Sequence, residues 1–233
     1  MKHATLNAVV EARAGKRPTA LVTNLKTGAQ AIVTNNEMSG DLALDGAALA
    51  TVREALRHDR SGTIKDAPGP LFVHVFNPPL RLVIVGAVHI AQALAPIAAL
   101  AGYDVTIIDP RGAFATEARF PSVALTDDWP DDAMKRLAPD TRTAVVTLTH
   151  DPKLDDPALQ VALRSEAFYI GSLGSKKTHA SRLARLTEAG FTPAEMARIH
   201  GPIGLNIGAV SQAEIAVSIM AEITARLRQV EAA

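Results

Sequence analysis

The chain has 233 residues, 48% of them hydrophobic, which suits one ordinary domain or a core domain with a smaller appendage. Its 24 basic and 24 acidic side chains give a formal net charge of zero, so it has no basic field for nucleic acid or an acidic membrane. Without cysteine it can form no disulfide, thiolate metal site or cysteine nucleophile.

The N-terminus, MKHATLNAVVEARAGKRPTA, lacks the apolar segment of a signal peptide, and no apolar run reaches membrane-spanning length. A cytoplasmic protein is expected. PTALVTNLKTGAQAIVTN predicts two short strands joined by a turn at Thr27–Gly28. Residues 46–58, with Leu49, Val52 and Leu56 at helical spacing, predict a helix. The breaker-rich RSGTIKDAPGP follows, then a strand, LFVHVF. Asn77-Pro78-Pro79-Leu80 continues neither a helix nor a central strand, and places a boundary between a small α+β domain, 1–78, and a second domain, 79–233.

Beyond that boundary apolar runs alternate with helical patterns. Strands are predicted at 81–86, 104–109, 122–126, 143–149 and 167–171, and helices at 89–101, 131–138, 155–165, 176–189 and 211–228. LVIVG, VTIID, AVVTLT and FYIGSLG are apolar on both faces, as parallel strands covered by helices on each side should be. The expected fold is α/β, a doubly wound, mostly parallel Rossmann-like sheet. Ser211 and Glu214 in SQAE form a capping box for the last helix.

Ligands bind such sheets at the carboxyl ends of the strands. There Gly86 permits a tight turn, and a helix starting at His89 aims its amides at an anion. Val88 stands where the dinucleotide fingerprint has its second glycine, so the turn is only a partial match. Asp109 follows at the spacing of the acid that accepts a ribose hydroxyl; capping the turn before Pro110 is the competing role. Arg111 is a nearby partner for phosphate or carboxylate. Thr149, His150 and Asp151 leave the 143–149 strand together. Asp155 or Asp156 is expected to cap the next helix, with Pro157 in its first turn. Gly171 and Gly174 precede Ser175, Lys176, Lys177 and Thr178 at a helix start, a cradle for an anion, though solvated surface charge is the alternative for the lysines. Residues 198–216 predict a packed loop. His89, His150, His179 and His200 share the rim, but no metal-ligand spacing accompanies them.

Taken together, VGAVHIAQAL, VTIIDPR, RFP, TLTHDPKLDDPAL, FYIGSLGSKKTHASRL and IHGPIGLNIGA, continued after Val210 by SQAEIAVSI, resemble the xanthine dehydrogenase accessory protein family, XdhC/CoxF. These stretches run in order through nearly all of residues 81–223. The resemblance implies a Rossmann C-terminal domain that binds and protects molybdenum cofactor, in its molybdopterin form, and delivers it to an apo-molybdoenzyme of the xanthine dehydrogenase type. It makes the chain an accessory factor rather than a catalyst. Pocket residues carried over are Gly86, His89, Asp109, His150, Asp151, Lys176, His179 and Gly201, to which the loop reading adds Gly174. Two departures are visible: the family's G-A-G-H turn is Gly86-Ala87-Val88-His89 here, and residues 1–78 lack the cysteine motif of longer members. The N-terminal domain is open to docking the acceptor enzyme or forming a homodimer. Two other readings stand beside this one: an NAD(P)-dependent oxidoreductase using Gly86 and Asp109, and a regulatory partner of the molybdoenzyme that binds no cofactor.

Overall fold

The computed structural model describes residues 2–64 and 69–228; residues 65–68, within the breaker-rich stretch, lie outside the described residues. The chain divides into two compact units whose boundary in sequence is Pro78–Pro79.

The first unit comprises α1 (His3–Ala14), β1 (Thr19–Asn24), β2 (Gln30–Val33), β3 (Met38–Gly40), α2 (Gly46–Arg57), β4 (Gly62–Ile64) and β5 (Leu71–Phe76). The strands form an antiparallel sheet in the order β3-β2-β1-β5-β4. The turn between β1 and β2 is held by the Asn24 side chain, which accepts from the amides of Lys26 and Thr27, and Gly28 takes the left-handed backbone there (φ +75°). The predicted α2 is present, capped by Asp45. It lays Ala48, Val52 and Leu56 on Ala20, Val22, Val33 and Val73 to make the core of this unit. Sequence reading misses α1, β3 and β4. β3 exposes every residue and α1 buries only Val9 and Ala12, so neither carries the periodicity that reveals an element.

The second unit comprises β6 (Leu80–Val85), α3 (His89–Leu100), β7 (Tyr103–Ile108), β8 (Ala124–Thr126), α4 (Pro130–Leu137), β9 (Thr143–Thr147), α5 (Pro152–Leu163), β10 (Tyr169–Ser172), α6 (Lys176–Glu188), α7 (Pro193–Met196), β11 (Ile199–His200) and α8 (Gln212–Arg228). Six parallel strands lie in the order β11-β10-β9-β6-β7-β8. Counted from β6 this is 3-2-1-4-5-6 reversed, the doubly wound Rossmann order, and the connections diverge between β6 and β9. Alternation along β6 explains the uninterrupted apolar runs. Leu82 and Ile84 pack under α3 and α8, while Val83 and Val85 pack under α4 and α5.

One expected helix start needs correction. α5 begins at Pro152, not at 155, and Asp151 is its cap, accepting from the Lys153 amide at 2.9 Å. Pro157 lies inside the helix, and neither Asp155 nor Asp156 caps it; both carboxylates are committed elsewhere. Two Asp–Pro steps in one segment give sequence reading two equivalent helix starts, and tertiary hydrogen bonds choose between them.

Candidate functional site

Strand register brings the loops to one rim. Val85 stands level with Ile108 on one side and Thr147 on the other, and Thr147 stands level with Ser172. Gly86, Asp109, Leu148 and Leu173 therefore leave the sheet at the same height, and Gly201 follows His200 at the end of β11. A buried hydrogen bond between the hydroxyls of Thr147 and Ser172 ties the ends of β9 and β10 together. All nine residues singled out from the sequence lie on loops or helix starts along this rim.

Gly86 is buried with φ +111°, and a Cβ there would lie 2.6 Å from Cγ2 of Thr149. Glycine is thus required both for the backbone and for the close approach of the first loop to the loop after β9. The turn spends its donors internally: the Gly86 amide donates to the Ile108 carbonyl at 2.8 Å and the Ala87 amide to Asp109 at 2.8 Å. Val88 is the N-cap of α3 and offers no side-chain cap; His89 beside it is exposed.

Asp109 is fully buried. Its Oδ1 accepts from the Arg111 amide (3.0 Å) and Nε (2.8 Å), and its Oδ2 from Arg111 Nη2 (2.7 Å) as well as the Ala87 amide. Burial alone would raise its pKa, but these bonds outweigh burial and hold it below the usual carboxylate range. Arg119 supports the same turn, donating to the Ala87 carbonyl at 3.0 Å, to the Phe114 carbonyl at 2.7 Å and to Gln92 at 3.2 Å. Arg111 also lies over the exposed Phe114 ring, 4.8 Å from its centre. The RFP stretch carries a signal for Arg119, and Arg111, marked in the sequence as a partner for phosphate or carboxylate, is spent on the Asp109 carboxylate itself.

The loop after β9 is organised by Asp155, reaching back from α5. It accepts from the Thr149 hydroxyl (2.6 Å), the Thr149 amide (3.3 Å) and the His150 amide (3.1 Å), which fixes His150 in a left-handed conformation (φ 61°). Burial outweighs these bonds and pushes the Asp155 pKa up. Asp156 forms a two-pronged pair with Arg185 of α6, at 2.5 and 3.0 Å.

At the start of α6, Ser175 accepts from the Thr178 amide, and Gly174 (φ +144°) lies against Thr178. Lys176 and Lys177 are exposed, and Lys177 borders a cleft of about 230 Å³ between α5 and α6 that His150 also lines. Arg182 lines this cleft from within, with a side chain only 2% exposed. Its Nη2 donates to the Leu173 carbonyl at 2.9 Å and stands 4.0 Å from Asp155, while Nε and Nη1 have no hydrogen-bond partner among the described residues. Sequence reading misses Arg182, which looks like any charged residue of a polar helix.

The four rim histidines have different surroundings. His179 packs on Gly201 so tightly that a Cβ at 201 would overlap its ring; burial and the neighbouring Arg182 push its pKa down. His200 stacks on Tyr169 at 4.7 Å and pairs with Glu222 of α8 at 3.2 Å. The same carboxylate accepts from the Tyr169 hydroxyl and from the Gly204 amide at 2.8 Å, anchoring the loop that begins at Gly201. Among the described residues no three His, Cys, Asp or Glu are placed to hold a metal ion, and no helix is long and apolar enough to cross a membrane.

Comparison with known proteins bears on this unit above all. Residues 82–223 match the family model described as the XdhC Rossmann domain. The chain is 37% identical over 157 residues to the molybdenum cofactor insertion chaperone PaoD of Escherichia coli (strain K12), covering 67% of this chain and 43% of that protein. It is 32% identical over 154 residues to a probable xanthine dehydrogenase subunit of Bacillus subtilis (strain 168), covering 66% and 44%. The chain thus spans less than half the length of these curated relatives. A crystal structure from Bacillus halodurans, named as a xanthine dehydrogenase, superposes with a TM-score of 0.70 at 24% identity; the match covers 97% of this chain and 64% of that one and shows the shared fold. The stretch matched by the family model contains every rim loop built above, and the chain belongs to the XdhC Rossmann-domain family.

Proposed function

We propose that the protein binds molybdenum cofactor on this rim and hands it to an apo-molybdoenzyme of the xanthine dehydrogenase type, acting in the cytoplasm as a carrier and not as a catalyst. The observation that carries the reading is the 37% identity to a molybdenum cofactor insertion chaperone, in a chain whose family match encloses all the rim loops. The residues present suit such a cargo. The loops after β6, β9 and β10 leave the sheet at one level, and the buried Arg182 has donors to spare for an anionic group. Histidines at 89 and 150 are exposed and both donate and accept, as the edges of a pterin require.

The geometry argues against an NAD(P)-dependent oxidoreductase. A dinucleotide enzyme needs the carboxylate after its second strand free for the ribose diol. Asp109 already accepts four hydrogen bonds, and the Ala87 amide that would face a pyrophosphate is one of the donors.

The test is reconstitution. Purified protein loaded with released molybdenum cofactor is expected to slow the cofactor's oxidation and to restore activity to a cofactor-free molybdohydroxylase. Failure to transfer, or micromolar NAD(H) or NADP(H) binding accompanied by hydride transfer, would overturn the proposal.

A further inference from the structure

The cleft between α5 and α6 has features that the glycine turn lacks. The Arg182 side chain is only 2% exposed, yet its Nε and Nη1 have no hydrogen-bond partner among the described residues. Buried donors are nearly always satisfied, so an orphaned pair on a cleft wall marks the place of a missing acceptor. The carboxylates nearby do not supply it. Asp156 is taken on both oxygens by Arg185, and Asp155 is taken by Thr149 and the His150 amide and keeps 4.0 Å from Arg182.

We propose that this cleft is an oxyanion site that takes a phosphate group, with the Arg182 guanidinium as its buried ligand and Lys177 and Ser181 at its border. Lys177, Arg182 and Arg185 face two carboxylates, which leaves one positive charge in the lining and rules against a divalent cation. α6 spans Lys176–Glu188, so its N-terminal dipole adds to the attraction at Lys177 and Thr178. At about 230 Å³ the cleft is smaller than the roughly 300–1,000 Å³ pockets that enclose a whole small-molecule ligand. It therefore holds the phosphate-bearing end while the rest of the ligand lies along the rim toward His150. The cargo reading enters only in naming the ligand, since a phosphate on the pterin, one on an attached nucleotide and free phosphate present the same chemistry to Arg182.

Titration of the full chain with inorganic phosphate, pyrophosphate and a nucleoside monophosphate, followed by calorimetry and by phosphorus NMR line width, tests the site. Wild type is expected to bind at least one of them, and Lys177→Gln to bind it about tenfold more weakly. Arg182→Gln should abolish binding, provided its circular dichroism is that of wild type; because that variant risks misfolding, exposed Lys177 is the deciding position. Preference for the monophosphate over inorganic phosphate would identify a nucleotide-borne group, and equal binding a free or pterin-borne one. No binding of any of the three, or equal binding by wild type and Lys177→Gln, would overturn the site. If phosphate binds and depends on Lys177 but reconstitution fails, the site stands and the cargo reading falls; if cofactor transfers and no phosphate binds, the reverse holds.

Discussion

Glycine at 86 and glycine at 201 answer different demands, and substitution separates them. Alanine at 201 meets the His179 ring, so Gly201→Ala should lower stability by about 1–3 kcal/mol in urea unfolding. In a His179→Ala background most of that loss should vanish, a coupling that a double-mutant cycle measures directly. Gly86→Ala meets Cγ2 of Thr149, and Thr149→Ser, which keeps the hydroxyl bonded to Asp155, should relieve that clash alone. The strain of φ +111° should persist at about 1 kcal/mol, so rescue at 86 is partial where rescue at 201 is nearly complete. The identity of these rim positions was legible in the sequence, because small residues after apolar strands announce turns. Their partners were not. That Arg182 is buried against the Leu173 carbonyl, or that Asp155 reaches back to Thr149, depends on which of several nearby groups the packed backbone presents.

Elements with strong periodicity were legible as well. The predicted strands of the second unit are present, most of them with apolar residues on both faces, and alternation with helices marks a doubly wound sheet, while the strand order is read from the structure alone. The misread start of α5 shows where local pattern ends, since Asp151–Pro152 and Asp156–Pro157 are equivalent to the eye and distinct in the fold. The assignment has a simple consequence. Asp151→Ala should cost about 1 kcal/mol, read as a lowered urea midpoint, while Asp151→Asn, an equally good cap, should cost little. The capping box at Ser211 and Glu214 matches its sequence signature: the Glu214 carboxylate accepts from the Ser211 amide at 2.8 Å and the Ser211 hydroxyl from the Glu214 amide at 3.2 Å.

Across the whole molecule, carboxylates shielded from solvent set the response to acid. Burial raises the pKa of Asp109 and Glu222, but hydrogen bonds and ion pairs outweigh it and hold both low. The stability they contribute is complete above the ordinary carboxylate values, about 3.9–4.3, and is lost as pH falls through the lowered folded values. Asp155, pushed up by burial, acts the other way: its contribution is present in acid and lost as pH rises through its raised folded value. With Asp109 and Glu222 set against Asp155, the urea midpoint is expected to fall as pH drops below about 4, with a shallower fall in Glu222→Gln. The hydrophobic clusters lead to a different expectation. One draws on residues 20–75 alone, and the other two on residues 80–227. Damage such as Val52→Ala should therefore melt one block early and spare the other, giving two steps in a calorimetric scan. Recombination at the Pro78–Pro79 seam would then replace the leading block wholesale, and the Rossmann half would need no repair to its interior.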